Sequence, residues 1–527
     1  DAIPGIDFIY EDIKANFMDK SAIVSKISIE LEEEIIATAS NMEIIGDEIN
    51  LELVNVSDIS VSLEDGVQMT ADKILLNQTD AAALQTFFEK LKENNQMEIV
   101  NSIDMINIGE IELVNLKINE DEGNNLLDAD IKIEGINQGM VEKIILSINH
   151  MKTPTDNSSD LFEASIEKFE LVGLDFGLLI EAVMEDDEEL ILAGTQKAFG
   201  INDMRIEGVQ FDSPELNTKI VLSRFSMKVV DNIIENFQLE GYSMLYDDLE
   251  LGKIKLKIGK TGFKGLDLSL DFMSEDFLIQ NSSRLYGLSE IKIENVSFLS
   301  DLYDEVSLGE MSLSDVEFED DLLVKGNISI RNVKIPLSII EDFEPSLAQT
   351  VGNMTNEETF LMSTGTYIDF DTKAGTSNYE LDFSASGFGN IKFEVGIADL
   401  DFQLIKKAST SQDAFEAIEV WPEVFENIAI NAIKIDYNDQ ELADTLFQEM
   451  SDEDEIIEMV EMQLEMFLEQ YQSEKALLLE AVKGFLKGKN SFKLSMTANS
   501  PIKLKDVEML FMEGDLTKKA KFDFQGN

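Results

Sequence analysis

Cysteine is absent from the 527-residue chain, histidine occurs once, at His150, and arginine only four times. Disulfides, thiolate metal sites, iron–sulfur clusters and cysteine nucleophiles are thereby excluded. The arginines, Arg205, Arg224, Arg284 and Arg331, are scattered, so bidentate capture of phosphate or carboxylate has little to work with. No run of about 18 apolar residues is present that would cross a bilayer as a helix. Positive charge is scarce as well: 41 Lys and Arg stand against 105 Asp and Glu, a net charge of −64. Nucleic acid, whose binders neutralise phosphates with basic clusters, is excluded as a partner. Anionic membrane surfaces repel a chain of this net charge.

Catalytic signatures are also missing. His150 sits in SINHMKTPTD, at the end of a strand and the start of a polar loop, with no flanking motif for a metal or a nucleophile. No phosphate-cradling glycine loop, nucleophile elbow or paired metal-binding histidines occur. The chain therefore reads as a non-enzyme, with no cofactor implied.

What is present is enough apolar sequence, 44%, to bury a large core. A ten-residue frame recurs along it, best seen in GEIELVNLKI from Gly109, GEMSLSDVEF from Gly309 and GNISIRNVKI from Gly326. Apolar side chains fall at offsets 2, 4, 7 and 9, and an Asn, Asp or Gly at offset 6. The frame also fits segments from Glu167, Asn202, Glu235, Ser289 and Ser500, and the one from Ala129 except at its last position, Gln138. Alternation at period two is the strand signal. The parity change between offsets 4 and 7 requires a bulge or tight turn whose extra residue tolerates positive φ. Asn115, Gly135, Gly173, Gly208, Gly241, Asn295, Asp315, Asn332 and Asp506 hold that place. The starts are spaced by multiples of about 18 residues, which suits a pair of antiparallel strands or one coil of a β-solenoid.

Helical periodicity interrupts the strands. One helix begins at Thr79-Asp80, with Ala83, Leu84, Phe87, Phe88 and Leu91 on one side. Others are expected over Leu174 to Met184, Asp187 to Phe199, Pro336 to Val351, and Gln412 to Glu426, the last broken at Pro422. The longest covers roughly Glu441 to Lys487, with Ile457, Val460, Leu464, Phe467, Tyr471, Leu478, Val482 and Phe485 as its core stripe. Short helices suit a meander better than a solenoid. The expected fold is mainly β with helical insertions (α+β): an elongated, repetitive antiparallel sheet, curled or trough-like, with a β-solenoid as the alternative. Three regions follow: 1–150, β-repeat with one helix; 151–400, β-repeat with short helices; 401–527, long amphipathic helices and closing strands.

Met459, Met462 and Met466 line a second flank of the long helix beside Phe467. Soft, unbranched side chains suit acyl chains or a partner helix, although packing on the sheet is the favoured reading. Carboxylate runs at Glu185 to Glu189, Glu319 to Asp321 and Asp452 to Glu455 suit calcium or a solvated acidic face. From Lys475 onward 10 Lys face 6 acidic residues, a local +4 that could dock to headgroups or to another copy's acidic body.

The opening GIDFIYEDIKANFMDKSAIVSKISIE (Gly5 to Glu30), followed by DEINLELVNV and GEIELVNLKI, resembles the start of AsmA-like and YdgA-like bacterial envelope proteins. AVKGFLKGKNSFKLSMTANSPIKLKDVE (Ala481 to Glu508) is similar to the closing portion of related proteins. The resemblance implies a periplasmic, elongated β structure whose apolar inner face takes lipid acyl chains, in lipid transport or outer-membrane maintenance. With the chain opening on Asp1 rather than Met, it also implies membrane attachment through a removed N-terminal anchor. No binding residue carries over, because the family is not defined by a site motif. The alternative is an acidic extracellular structural or surface-assembly protein that binds calcium.

Overall fold

The protein was examined as a computed structural model, which describes the chain apart from residues 1–5, 32–33, 48, 63–66, 84, 87–104, 121–123, 153–161, 176–202, 215–216, 231–232, 249–251, 268–287, 320–321, 356–357, 411–413, 441, 443–452, 468–471, 489, 513–515 and 527. Contacts group the chain into two compact units, Asp1–Asp247 and Asp248–Asn527.

The first unit runs through β1 (Ile6–Ile9), β2 (Asp12–Asn16), β3 (Ser21–Leu31), β4 (Glu34–Gly46), β5 (Asn50–Ser62), β6 (Gln68–Asp80), β7 (Asn107–Glu120), β8 (Asn124–Asn137), β9 (Met140–Lys152), β10 (Glu163–Asp175), β11 (Asp203–Ser213), β12 (Thr218–Val230) and β13 (Ile233–Asp248). From β3 onward each strand pairs antiparallel with the next. β1 and β2 lie end to end along the free side of β3, which gives the sheet an open edge.

The second unit comprises β14 (Gly252–Lys264), β15 (Leu266–Asp267), β16 (Glu290–Leu299), β17 (Val306–Glu319), β18 (Leu322–Pro336), α1 (Leu337–Phe343), α2 (Pro345–Thr355), β19 (Thr359–Asp371), β20 (Thr376–Ala385), β21 (Gly389–Ala398), α3 (Phe402–Thr410), α4 (Ala414–Asn427), β22 (Ala429–Asn438), α5 (Glu453–Phe467), α6 (Gln472–Gly488), β23 (Ser491–Lys503), α7 (Leu504–Met512), α8 (Leu516–Lys519) and β24 (Ala520–Gly526). Its strands from β16 to β24 again pair antiparallel in chain order, and β14 pairs with β16. The architecture is therefore an antiparallel meander with helical insertions, as the alternation predicts, and not a solenoid. The 18-residue spacing corresponds to one strand with its connection, shorter than the strand pair expected: the frames at Gly109 and Ala129 fall on the neighbours β7 and β8.

Eight of the nine offset-6 residues have positive φ: Asn115 (53°), Gly135 (65°), Gly173 (82°), Gly208 (65°), Gly241 (64°), Asn295 (54°), Asp315 (54°) and Asn332 (55°). Asp506 does not, because its segment has left the sheet and forms the first turn of α7. The left-handed residue is matched across the ladder rather than simply inserted. In β10–β11, Ile166 pairs with Val209 and Lys168 with Glu207, so Glu167 and Gly208 face each other outside the bridge pattern. Both strands change phase at the same place and their cross-strand pairs stay aligned. The position opposite must also be empty. A Cβ on Gly309 would lie 2.8 Å from the Cβ of the left-handed Asn332, and one on Gly208 would lie 2.3 Å from Cγ of Glu167. In both of these pairs one member is glycine, which gives a reason for the glycine at offset 0 of the Gly309 frame, whereas Asn115 meets Asp130 instead, whose carboxylate accepts from its N–H at 2.7 Å.

The helices differ more from expectation. Helix begins at 81, where the Asp80 carboxylate accepts from the Ala83 N–H at 3.0 Å, and residues 87–104 lie outside the description. Leu174 belongs to β10, and the helices expected over 176–202 lie outside the described residues. Pro336 to Val351 divides into α1 and α2 ahead of Pro345. Pro422 sits within α4 without ending it. Val420 and Val424 on either side are buried against Ala408 of α3, and this packing holds the helix through one missing backbone bond. Of the long helix expected over Glu441 to Lys487, the described parts are α5 and α6, and residues 441, 443–452 and 468–471 lie outside the described residues.

Candidate apolar binding face

Directly paired residues of an antiparallel ladder share a face, so the registers trace side-chain rows across each unit. In the first unit one row reads Ala22, Ile44, Val54, Leu76, Ile111, Ile133, Ile144, Leu171, Met204, Met227 and Phe237, from β3 to β13. The next reads Val24, Met42, Val56, Ile74, Leu113, Ile131, Leu146, Phe169, Ile206, Phe225 and Leu239. Every member is apolar, and the strands carrying them extend over roughly 48 Å at normal strand spacing.

The left-handed residues keep further rows on this face. Ile133 and Ile136 of β8 occupy offsets 4 and 7 with Gly135 between them, and both pack on the cluster of Val141, Leu171 and Leu174. An unbroken strand would place them on opposite sides. Offsets 2, 4, 7 and 9 thus form one apolar surface.

That surface is only partly covered among the described residues. Among the two rows Leu171 alone is buried, and the others are half-buried. In the second unit Met311, Ile328 and Ile391, on the equivalent rows of β17, β18 and β21, are exposed. Among the described residues of the second unit, helices pack on this face toward β24. Phe485 of α6 stacks edge-on against Tyr437 and Phe492 at centroid distances of 5.7 and 6.4 Å. Met496 and Ala520 form a buried cluster with Ile502 and Leu516, against which Val507 and Leu510 of α7 pack. Burial beneath α6 and a bond to Asp439 raise the Tyr437 phenol above its ordinary range.

The opposite face carries charge in alternating sign. Lys132 bridges Glu110 at 2.9 Å and Glu134 at 2.8 Å, and Glu170 receives Lys168 at 2.6 Å and Lys143 at 3.0 Å. In the second unit Glu394 receives Lys392 and Lys434, both at 2.8 Å, and Lys493 meets Asp436 at 2.6 Å. The hydrogen bonds from lysine hold the Glu134, Glu170 and Glu394 carboxyls below the usual range, and Glu394 with Glu380 pushes Lys392 up to about 12. Arg331 reaches Asp382 across β19, where Gly365 leaves room: a Cβ there would lie 2.3 Å from the Asp382 carboxylate. A shallow cavity of about 230 Å³ on this face is lined by Lys392, Lys434 and Lys493 with Glu394, Asp436 and Asp523. Its three lysines are each held by a carboxylate, so they offer no free cationic cluster to an anion.

Met459, Met462 and Met466 are exposed on α5 rather than packed on the sheet, and the Phe467 side chain lies outside the described residues. Ile457 is the buried residue of that helix. His150 lies in β9 and lines a cavity of about 200 Å³ with Glu163, Asp212 and Lys219. Among the described residues no three His, Cys, Asp or Glu groups converge as a metal ion would need. The runs Glu185 to Glu189, Asp320-Asp321 and Asp452 fall outside the described residues. Among the described residues no helix is long and apolar enough to cross a membrane.

A family model described as an uncharacterized protein matches residues 382–524, the stretch from β20 to β24 that includes the helix-covered end of the apolar face. No curated protein matches the chain.

Proposed function

We propose that this is a non-enzymatic lipid-binding protein of the cell envelope, holding acyl chains along the apolar face of its sheet. The observation that supports this reading is the incomplete burial of the face: rows of Leu, Ile, Val, Met and Phe in the first unit that stay half-buried among the described residues, Leu171 excepted. Continuous apolar surface beyond a few hundred Å² marks a binding surface in a soluble chain. An acyl chain needs no hydrogen-bond partner, and the two rows of the first unit present no polar side chain. The resemblance to AsmA-like proteins supplies the setting, a periplasmic protein contributing to lipid transport and outer-membrane maintenance.

Native mass spectrometry of the purified protein tests this directly. Phospholipid or fatty acid is expected to co-purify, and the delipidated chain to take up a fluorescent fatty acid. The pair Leu113→Asp and Ile131→Asp, placed side by side in one row, is expected to lower uptake about tenfold by setting charge where the chain would lie. A lipid-free protein that takes up no probe would sink the proposal.

A further inference from the structure

Strand β14 reads GKIKLKIGKTGFK, with five lysines and no carboxylate, in a chain whose acids outnumber its cations 105 to 41. Lys253, Lys255 and Lys257 alternate along one side of it and are exposed. Lys257 pairs with Ser297 of β16, Ser297 with Ser307 of β17, and Ser307 with Lys334 of β18, which is exposed as well. These four residues form one row, two lysines separated by three strand spacings, about 14 Å, with two hydroxyls between them. One step along each strand, Ile258, Val296, Leu308 and Val333 pair in the same order as part of the apolar face. The lysine–serine row therefore lies on the charged side.

Its polar groups are free where others on that side are engaged. Lys292, further along β16, bridges Glu294 at 2.9 Å and Glu310 at 3.7 Å, and the serine pair Ser312 and Ser329 satisfy each other at 3.2 Å. Among the described residues Lys253, Lys255, Lys257 and Lys334 form no ion pair, and the half-buried Ser297 and Ser307 make no side-chain hydrogen bond. The β16–β17 turn at this end of the strands holds three carboxylates. Asp301 accepts from the Lys253 N–H at 3.0 Å and Asp304 from the Ser338 hydroxyl at 3.5 Å, while Glu305 stands at the start of β17. The four lysines against these three acids leave 4 − 3 = +1, in a chain of −64. Charges beyond about 8 Å are largely screened at physiological salt, so the distant excess of carboxylate does not cancel the site.

We infer that this row is a binding site for a phosphate group: the Ser297 and Ser307 hydroxyls donate to its oxygens, and Lys257 and Lys334 close over it from either side, with Lys255 beside them. Ammonium and hydroxyl groups are donors whose directions adapt, which suits a tetrahedral oxyanion able to meet several at once. A planar carboxylate is matched better by the arginine fork, and Arg331 of β18 is already held by Asp382. The site is on the side of the sheet opposite the acyl-binding rows and does not depend on them.

Isothermal titration of the full chain with inorganic phosphate at low salt tests the inference. The wild type is expected to bind, more weakly as sodium chloride is raised. K257Q/K334Q is expected to lose about tenfold or more, from two charge-assisted hydrogen bonds, and S297A/S307A about threefold. Neither variant breaks an ion pair among the described residues, so thermal melting should match the wild type. Acetate at equal concentration should not displace phosphate. Flotation with vesicles containing phosphatidic acid identifies the source of the group: flotation that K257Q/K334Q loses assigns a lipid headgroup, and titration by glycerol 3-phosphate without flotation assigns a soluble phosphate ester. A wild-type chain that binds neither phosphate nor the vesicles overturns the inference. So does K257Q/K334Q binding as tightly as the wild type, or acetate competing as well as phosphate.

Discussion

Glu170 shows how single residues manage the chain's excess of carboxylate. It is a buried residue of β10, it receives both Lys143 and Lys168, and the hydrogen bond from Lys168 is the main reason its carboxyl titrates below the usual range. A carboxyl whose folded pKa is depressed contributes stability that is fully present above the unfolded value, about 4.3, and is lost as pH falls through the folded one. Glu170→Gln is accordingly expected to destabilise the first unit by about 1–2 kcal/mol at neutral pH, since a charge-assisted bond is replaced and two lysines lose their anion. Chemical denaturation of both proteins across the acid range should show the gap closing below roughly pH 4. A gap that persists unchanged at low pH would assign the loss to packing instead.

At the scale of the strand, the left-handed residues show which parts of the fold could be read in advance. Eight of the nine offset-6 positions were legible because Asn, Asp and Gly are the residues that adopt positive φ at little cost. Lys26 and Gln78 also take φ of 50°, and neither residue type announces it. Offset 0 of the Gly309 frame was illegible because its requirement comes from the neighbouring strand: Gly309 has no unusual φ, yet its Cβ would strike Asn332. Gly309→Ala is therefore expected to destabilise the second unit by about 1–3 kcal/mol through overpacking. Adding Asn332→Gly removes the obstructing side chain and should recover most of that loss, since residues in contact couple by amounts of this size. Urea unfolding of the two single variants and the double variant measures the coupling, and strictly additive losses would contradict the matched pair. The helices were less legible. Pro422 ends a helix by local rules, but the packing of Val420 and Val424 on α3 overrides them.

For the molecule as a whole, −64 becomes a matter of sides. Lysine-bridged carboxylates such as Glu110, Glu134 and Glu394 occupy one face of the sheet, and the other is apolar row after row. Alternation makes the existence of that face legible, because cross-strand pairing follows from period and register. Its incomplete burial was not legible, since exposure depends on what packs over a strand, and a half-covered Leu has the same sequence signature as a buried one. The methionines of α5 illustrate the same limit, as Met459, Met462 and Met466 lie exposed where helical spacing also fits core packing.

The central claim, that acyl chains lie along the apolar face, is tested most directly by photo-crosslinking. A fatty acid bearing a photoreactive group on its chain would be bound to the delipidated protein, irradiated and mapped by peptide mass spectrometry. The account predicts adducts on the rows containing Leu113, Ile131, Leu146 and Phe169, and none on the intervening Glu112 and Lys132 of the opposite face. Adducts spread equally over both faces, or confined to residues outside the rows, would contradict it.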